Sequence, residues 1–396
     1  MKVVAISYFM PYWENLRGIS ALIFYLIKYR PYNVDLMLYS FNCNHLSDEQ
    51  IEEVKKELDI SIKLIEEPKE HKKYKAGLYD KFVGWMIARE RNMFILSEET
   101  IAEIRHIFPD YIWLYPFYLY HIPEQMPEMK YVLTGCDSNA LLKKRCLKDR
   151  YYRSNPFKYI KNMIIFYRNL KTEERFPTKN CLIHFVGKAD CDYYNSHTGH
   201  NNGCYITHPH YAYSDNKKTF DNNKLNLLIA GKYDFYMKTE SNRLVSEMVK
   251  YAKLLEDKVT ITFIGKKWDK HARALSKAGY TVVYKQWVEN YIEEILKYDV
   301  QIVPLSFGTG TKGKVLDAMS NGLLVIGTKY AMENICTDKD KCLVYDKAHD
   351  VINMINTIYE NRNYYKQMAI NGKNHVLAQN NPATCSSSFF NLFESI

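Results

Sequence analysis

The sequence predicts an α/β protein with two parallel sheets, each covered by helices on both faces. Three observations lead there. Short apolar runs rich in Val, Ile and Leu alternate with segments of helical periodicity along nearly the whole chain. Those runs are apolar throughout, the pattern of strands buried on both sides. Ten of them exceed what one open sheet comfortably holds, so two sheets of five or six strands follow. The 396 residues allow two or three domains at roughly 150 residues each.

The ten strands are expected at Val3–Ser7, Val34–Tyr39, Tyr111–Leu114, Tyr131–Thr134, Leu182–Val186, Leu225–Ala230, Val259–Ile264, Thr281–Val283, Val300–Pro304 and Leu324–Gly327. Helical periodicity falls near 19–29, 48–58, 97–106, 241–256, 289–297, 314–321, 349–360 and 361–378. The polar segment Tyr211–Lys224 separates two apolar halves and is the expected boundary, dividing 1–210 from 211–379. Asp192–Gly203 reads as a loop-rich stretch just before it.

Composition excludes several classes. Hydrophobic residues make up 47% and charged residues 25%, which is too apolar for a disordered chain. No apolar run reaches the ~18–20 residues that span a bilayer. The opening Met1–Ser7 run is too short for a signal-peptide core, so a cytoplasmic location is expected. The nine cysteines are odd in number and irregularly spaced, with no Cys-x-x-Cys. Reduced thiols fit that pattern better than a disulfide framework or a structural zinc site.

The net charge of +9 is localised. From Lys143 to Arg175 eleven Lys and Arg face three acids, an excess of eight. Tyr151, Tyr152, Phe157, Tyr159, Phe166 and Tyr167 lie among them. A basic, aromatic, amphipathic stretch over 143–176 suits the surface of an anionic membrane, which would make the protein peripheral on the inner face. A solvated helix face with buried tyrosines accounts for it equally. Nucleic acid is not the expected partner, because no helix-turn-helix, zinc-finger or RNP signature accompanies the charge.

The segment richest in chemistry is Val300–Thr328. A strand runs into a loop carrying Gly308, Thr309, Gly310, Thr311, Lys312 and Gly313, and a short helix follows from about Lys314. Strand, glycine-rich loop and helix N-terminus together offer backbone N–H groups and the positive end of a helix dipole to an anion. Glycine lets the backbone approach a phosphate, and Lys312 and Lys314 add charge at the same mouth. The expected ligand is a diphosphate, at the carboxyl end of a parallel strand where α/β ligands sit. The order of residues is not that of a Walker A loop. Asp317 is expected in the first turn of the helix, either as a favourable dipole partner or as an acceptor for a ribose diol. Gly322 stands at the expected C-terminal cap.

PLSFGTGTKGKVLDAMSNGLLVIGT resembles the donor-binding signature of GT-B glycosyltransferases, in particular the family-four, glycosyl transferases group 1 kind. LNLLIAGKYDF, VTITFIG and VVYKQWVENYIEEILKYDVQIVP resemble the preceding segments of the same domain, in order and spacing. The match is good over about 225–330 and loose in the N-terminal half. The resemblance implies two Rossmann-like domains facing across a cleft, with the nucleotide-sugar donor held mainly by the C-terminal one and the acceptor by the N-terminal one. It also implies a final helix, here within 380–396, that crosses back to the first domain.

Carried over by motif, Gly231 and Lys232 match the Gly-Arg/Lys after that domain's first strand, and Lys238 the second basic residue of the diphosphate clamp. Asp317 falls where the family has the second glutamate of E-x7-E. The first glutamate's register lands on Thr309, a departure for which the amides of Gly310–Lys312 are the expected substitute. Arg17 and Gly18, in the loop after the first strand, resemble the family's glycine loop near the donor phosphates; an ordinary β–α turn explains them as well. Asp137, at the end of the Tyr131 strand, is a candidate to orient or deprotonate an acceptor hydroxyl. It is equally a candidate N-cap. His208 and His210 lack the further ligands a metal site needs.

The expected activity is a hexosyltransferase-type transfer from a nucleotide-diphosphate sugar to a hydroxyl of a saccharide or lipid-linked saccharide, as in surface polysaccharide assembly. The resemblance implies retention at the anomeric carbon. Lys232, Lys314 and Asp317, with Asp137, are the catalytic candidates. No cofactor and no metal is expected, since no Asp-x-Asp triplet stands at a strand end and lysines meet the leaving diphosphate. A GT-B epimerase or phosphorylase, or a silent binding protein of the same fold, remains open. A donor-only assay separates the epimerase, and absence of heat with nucleoside diphosphates marks the silent protein.

Overall fold

The computed structural model describes residues 1–13, 19–66, 95–210, 213–215, 220 and 222–396. Arg17, Gly18 and part of the 211–224 segment lie outside the described residues. The chain divides into two compact units: 1–144, 160–209 and 382–396 form the first, and 145–159 with 210–381 the second.

The first unit holds a seven-stranded sheet of order β3-β2-β1-β4-β5-β6-β7. Its strands are β1 (Lys2–Ser7), β2 (Asp35–Ser40), β3 (Ser61–Leu64), β4 (Tyr111–Tyr115), β5 (Tyr131–Cys136), β6 (Cys181–Phe185) and β7 (Gly203–Tyr205). The second unit holds a six-stranded sheet of order β10-β9-β8-β11-β12-β13. It comprises β8 (Leu225–Ala230), β9 (Val259–Ile264), β10 (Thr281–Lys285), β11 (Val300–Val303), β12 (Leu324–Thr328) and β13 (Leu343–Tyr345). Every pairing is parallel. All ten expected strands are present. The three additional ones, β3, β7 and β13, are edge strands of three or four residues. At three or four residues they are too short for their apolar content to stand out as a strand signal.

In the first unit separate apolar clusters cover the two sheet faces. One is closed by the C-terminal segment: Phe389 and Phe390 pack on the buried Trp113 at 4.8 and 6.1 Å between ring centres. Ser386 Oγ donates to Leu26 O at 2.7 Å, tying the helix Pro382–Asn391 to the helix Ile19–Lys28. The second unit has one continuous core around β8, β11 and β12.

Two stretches differ from expectation. Asp192–Gly203 is mostly not loop: a helix spans Lys188–Thr198, ends at Gly199 in the left-handed region (φ +71°), and β7 begins at Gly203. Polar residues obscured it, since one side faces solvent and Asp190, Cys191 and Tyr194 supply the buried side. The basic run folds as helices Asn139–Lys148, Arg150–Arg153 and Pro156–Glu173. Among the described residues no helix is long and apolar enough to cross a membrane.

Candidate functional site

The site lies in the second unit, where the turns after β8 and β11 meet. β8 is followed by Gly231, whose φ of +111° is open to glycine and costly for other residues. Its N–H donates to Ile264 O at 2.9 Å, and its carbonyl accepts from the buried Trp268 indole at 2.7 Å. Those bonds pin the turn that carries Lys232. Lys232 is exposed and has no partner among the described residues.

The turn after β8 is fastened to the loop after β11. Ser306 N–H donates to Tyr236 O at 2.7 Å, and Ser306 Oγ accepts from Glu240 N–H at 3.0 Å. Lys238 opens the helix Lys238–Lys250, and its ammonium sits 4.4 Å from the centre of the Tyr151 ring. Lys158 Nζ donates to the Tyr151 hydroxyl at 2.8 Å. That hydrogen bond, with the charges of both lysines, holds the phenol below its ordinary range.

The glycine loop has an ordered arrangement of carbonyls and amides. Gly308 O accepts from Arg145 Nη1 at 2.6 Å. Lys312 Nζ turns back onto its own loop, donating to Thr309 O and, at 2.8 Å, to Gly310 O. Gly310 O accepts also from Asn334 Nδ2 at 3.1 Å. Three consecutive carbonyls are therefore engaged. The amides of Gly308, Thr309, Gly313 and Lys314 have no acceptor among the described residues. Gly310 has φ +63°, the left-handed conformation this reversal requires.

The helix runs Gly313–Ser320. It closes with Gly322 N–H on Met319 O at 2.9 Å and Leu323 N–H on Ala318 O at 3.0 Å, a Schellman cap. Lys314 reaches back toward β8. Among the described residues its ammonium contacts only Ala230 O at 3.4 Å and Met237 Sδ at 3.5 Å, and no carboxylate. Burial of the ammonium lowers its pKa to about 8, against a partly offsetting attraction from Asp234.

Asp317 is not in the first turn, as the sequence suggested. The helix starts at Gly313, which puts Asp317 in the second turn, away from the dipole's positive end. Its Oδ1 is buried with no hydrogen-bond partner among the described residues, and burial raises its pKa to about 7. Tyr291 is the neighbour that sequence reasoning missed: burial first, and then the charge of Asp317, raise its phenol well above the ordinary range.

In the first unit Asp137 is exposed just beyond β5. The cap for the helix Asn139–Lys148 is its neighbour: Ser138 Oγ accepts from Leu141 N–H at 3.1 Å. Ser138 Oγ in turn donates to buried Glu173 at 2.9 Å, and Ser138 N–H donates to Asp190 Oδ1 at 2.9 Å. His208 is buried and pushed by burial down to about 4. Among the described residues no group of three His, Cys, Asp or Glu is placed to hold a metal ion.

Comparison with known proteins agrees with this fold. Residues 224–361 match the family described as "Glycosyl transferases group 1". No curated protein matches the chain in sequence. Among solved structures, Anabaena HepE in complex with UDP aligns over 100% of both chains at 11% identity and a TM-score of 0.66. Sucrose-phosphate synthase from Thermosynechococcus elongatus aligns over 100% of this chain and 99% of its own, at 11% identity and 0.66. WaaG, a glycosyltransferase involved in lipopolysaccharide biosynthesis, aligns over 99% of each at 12% and 0.59. Residues 224–361 are thus similar to the glycosyl transferases group 1 family, within an α/β chain whose two Rossmann-like units share the GT-B fold of these solved structures.

Proposed function

We propose that the protein transfers a sugar from a nucleoside-diphosphate sugar to a hydroxyl acceptor, with retention and without a metal. One observation carries this reading: a glycine loop whose carbonyls at Gly308, Thr309 and Gly310 are engaged while the amides of Gly308, Thr309, Gly313 and Lys314 have no acceptor among the described residues, beside Lys314, which meets no carboxylate among those residues. Such a loop presents N–H dipoles to an anion at fixed positions, and fixed dipoles stabilise charge without reorganising. The HepE complexes with UDP and with UDP-glucose support a nucleotide-sugar donor.

In the reaction the bond from the anomeric carbon to the diphosphate oxygen breaks, and its electron pair leaves with the diphosphate. The acceptor oxygen bonds to the same carbon and loses its proton. Lys314, Lys232 and Lys238, with the amides of Gly308, Thr309, Gly313 and Lys314, meet the charge that builds on the diphosphate. Asp317, whose buried Oδ1 has no partner among the described residues, accepts from the ribose hydroxyls. Asp137 orients the acceptor hydroxyl or takes its proton.

The acceptor in this reading is a saccharide, or one linked to a lipid in surface polysaccharide assembly. The helix Pro156–Glu173 supports the lipid-linked form: Phe157, Ile160 and Tyr167 are exposed beside Lys161, Arg168 and Lys171. Aromatic and basic groups together suit an anionic membrane surface. Flotation with vesicles containing phosphatidylglycerol, against neutral vesicles, tests that part.

A thermal-shift panel of nucleoside diphosphates and nucleotide sugars tests the donor. Ligand at ~100 times its dissociation constant stabilises by about 2.7 kcal/mol. At least one diphosphate and its sugar conjugate should raise the melting temperature. A panel with no shift removes the proposal.

A further inference from the structure

We propose that Arg145 and Glu333 form a positioning pair that holds the phosphate loop in its anion-binding conformation. The inference rests on the donor reading above and assigns the residues that shape that site.

Arg145 is distant from the loop in sequence, and its side chain is only 12% exposed. Its Nη1 donates to Gly308 O at 2.6 Å and to Glu333 Oε2 at 2.6 Å, while Nη2 donates to Glu333 Oε1 at 2.8 Å. The guanidinium also lies 5.1 Å from the centre of the Tyr330 ring. A planar fork gripped at both ends of a carboxylate has one orientation left, so its remaining donor direction is fixed as well. That direction ends on the carbonyl of the loop's first glycine.

The consequence for the loop follows from peptide geometry. In a peptide unit C=O and N–H point in opposite directions. Fixing the carbonyl of Gly308 fixes the N–H of Thr309, one of the amides with no described acceptor. Lys312 and Asn334 act in the same way on the carbonyls of Thr309 and Gly310. Glu333 and Asn334 are adjacent, so one short turn after β12 supplies both an indirect and a direct hold on the loop. Because the ion pair is internally compensated, Arg145 acts on an incoming diphosphate through the amide it orients. Replacement by lysine keeps a charge but has no fork to serve Gly308 and Glu333 together.

The test uses the full chain and the variants Arg145→Ala, Arg145→Lys and Glu333→Gln. Hydrogen exchange of the loop 307–312 is measured without ligand. Affinity for UDP and for inorganic pyrophosphate is measured by calorimetry. The pair as positioning device predicts faster exchange confined to the loop and about a tenfold or greater loss of affinity for both probes in Arg145→Ala. Partial recovery is expected in Arg145→Lys. Should Arg145→Ala fail to fold, Glu333→Gln shows the same pattern in weaker form. Unchanged loop exchange, or faster exchange with unchanged affinity, overturns the proposal. If the unaltered protein binds neither probe, the donor reading falls. Loop exchange alone then upholds or overturns the holding role.

Discussion

A Cβ built on Gly231 would lie 2.8 Å from the ammonium of Lys314. The first turn of the domain and the first turn of its glycine-loop helix therefore share one small volume. Gly231→Ala places a methyl group there and strains a backbone at φ +111°. We expect a stability loss of about 1–3 kcal/mol and a displaced Lys314. Denaturant unfolding together with UDP titration checks both.

Lys314→Ala removes an ammonium that meets no carboxylate among the described residues. Nucleoside-diphosphate affinity should fall about 10- to 100-fold, the range of a charge-assisted hydrogen bond. The fold should persist, since among the described residues the lost group contacts only Ala230 O and Met237 Sδ. Calorimetry on a variant with an unchanged circular dichroism spectrum reads the effect.

The pH dependence of binding follows from the same lysine. Its pKa, lowered to about 8 by burial, means the ammonium empties as pH rises through 8. Affinity for UDP should decline above that pH. Binding at pH 8 to 9 should take up protons, because a bound diphosphate favours the charged form. Calorimetry in two buffers of different ionisation heat measures the uptake. Lys314→Arg should flatten the profile.

Asp317 gives the opposite sign in stability. Its folded pKa of about 7 lies above the ordinary 3.8, so the folded state binds the extra proton between those values. Stability from the protonated carboxyl is full below pH 3.8 and is lost as pH rises through 7. Asp317→Asn should remove that decline and raise the melting temperature at pH 8. The same variant should lose affinity for UDP, yet keep its affinity for pyrophosphate, which has no ribose. Equal losses for both ligands would argue against the ribose role.

Much of this was legible in the sequence, for local reasons. The strands that bury both faces announce themselves as apolar runs, and a glycine loop between strand and helix is a contiguous pattern. What stayed hidden was set by distance or by one residue of register. Arg145 counted only as charge in a basic run, because its bond to Gly308 joins residues 163 positions apart. Lys312 read as a ligand cation, yet its flexible chain folds onto carbonyls two and three residues away. Asp137 stood as the candidate N-cap on paper, and the cap proves to be its neighbour Ser138, held by the buried Glu173 and Asp190. A helix start at Gly313 moved Asp317 from the first turn to the second.

The most direct test of the central claim is a crystal structure of the chain with the nucleoside diphosphate that gives the largest thermal shift. Phosphate oxygens should lie within hydrogen-bond distance of Lys314 Nζ and of the amides of Gly308, Thr309, Gly313 or Lys314. A diphosphate bound elsewhere, with Lys314 still resting on Ala230 O and those amides unused, would contradict the account.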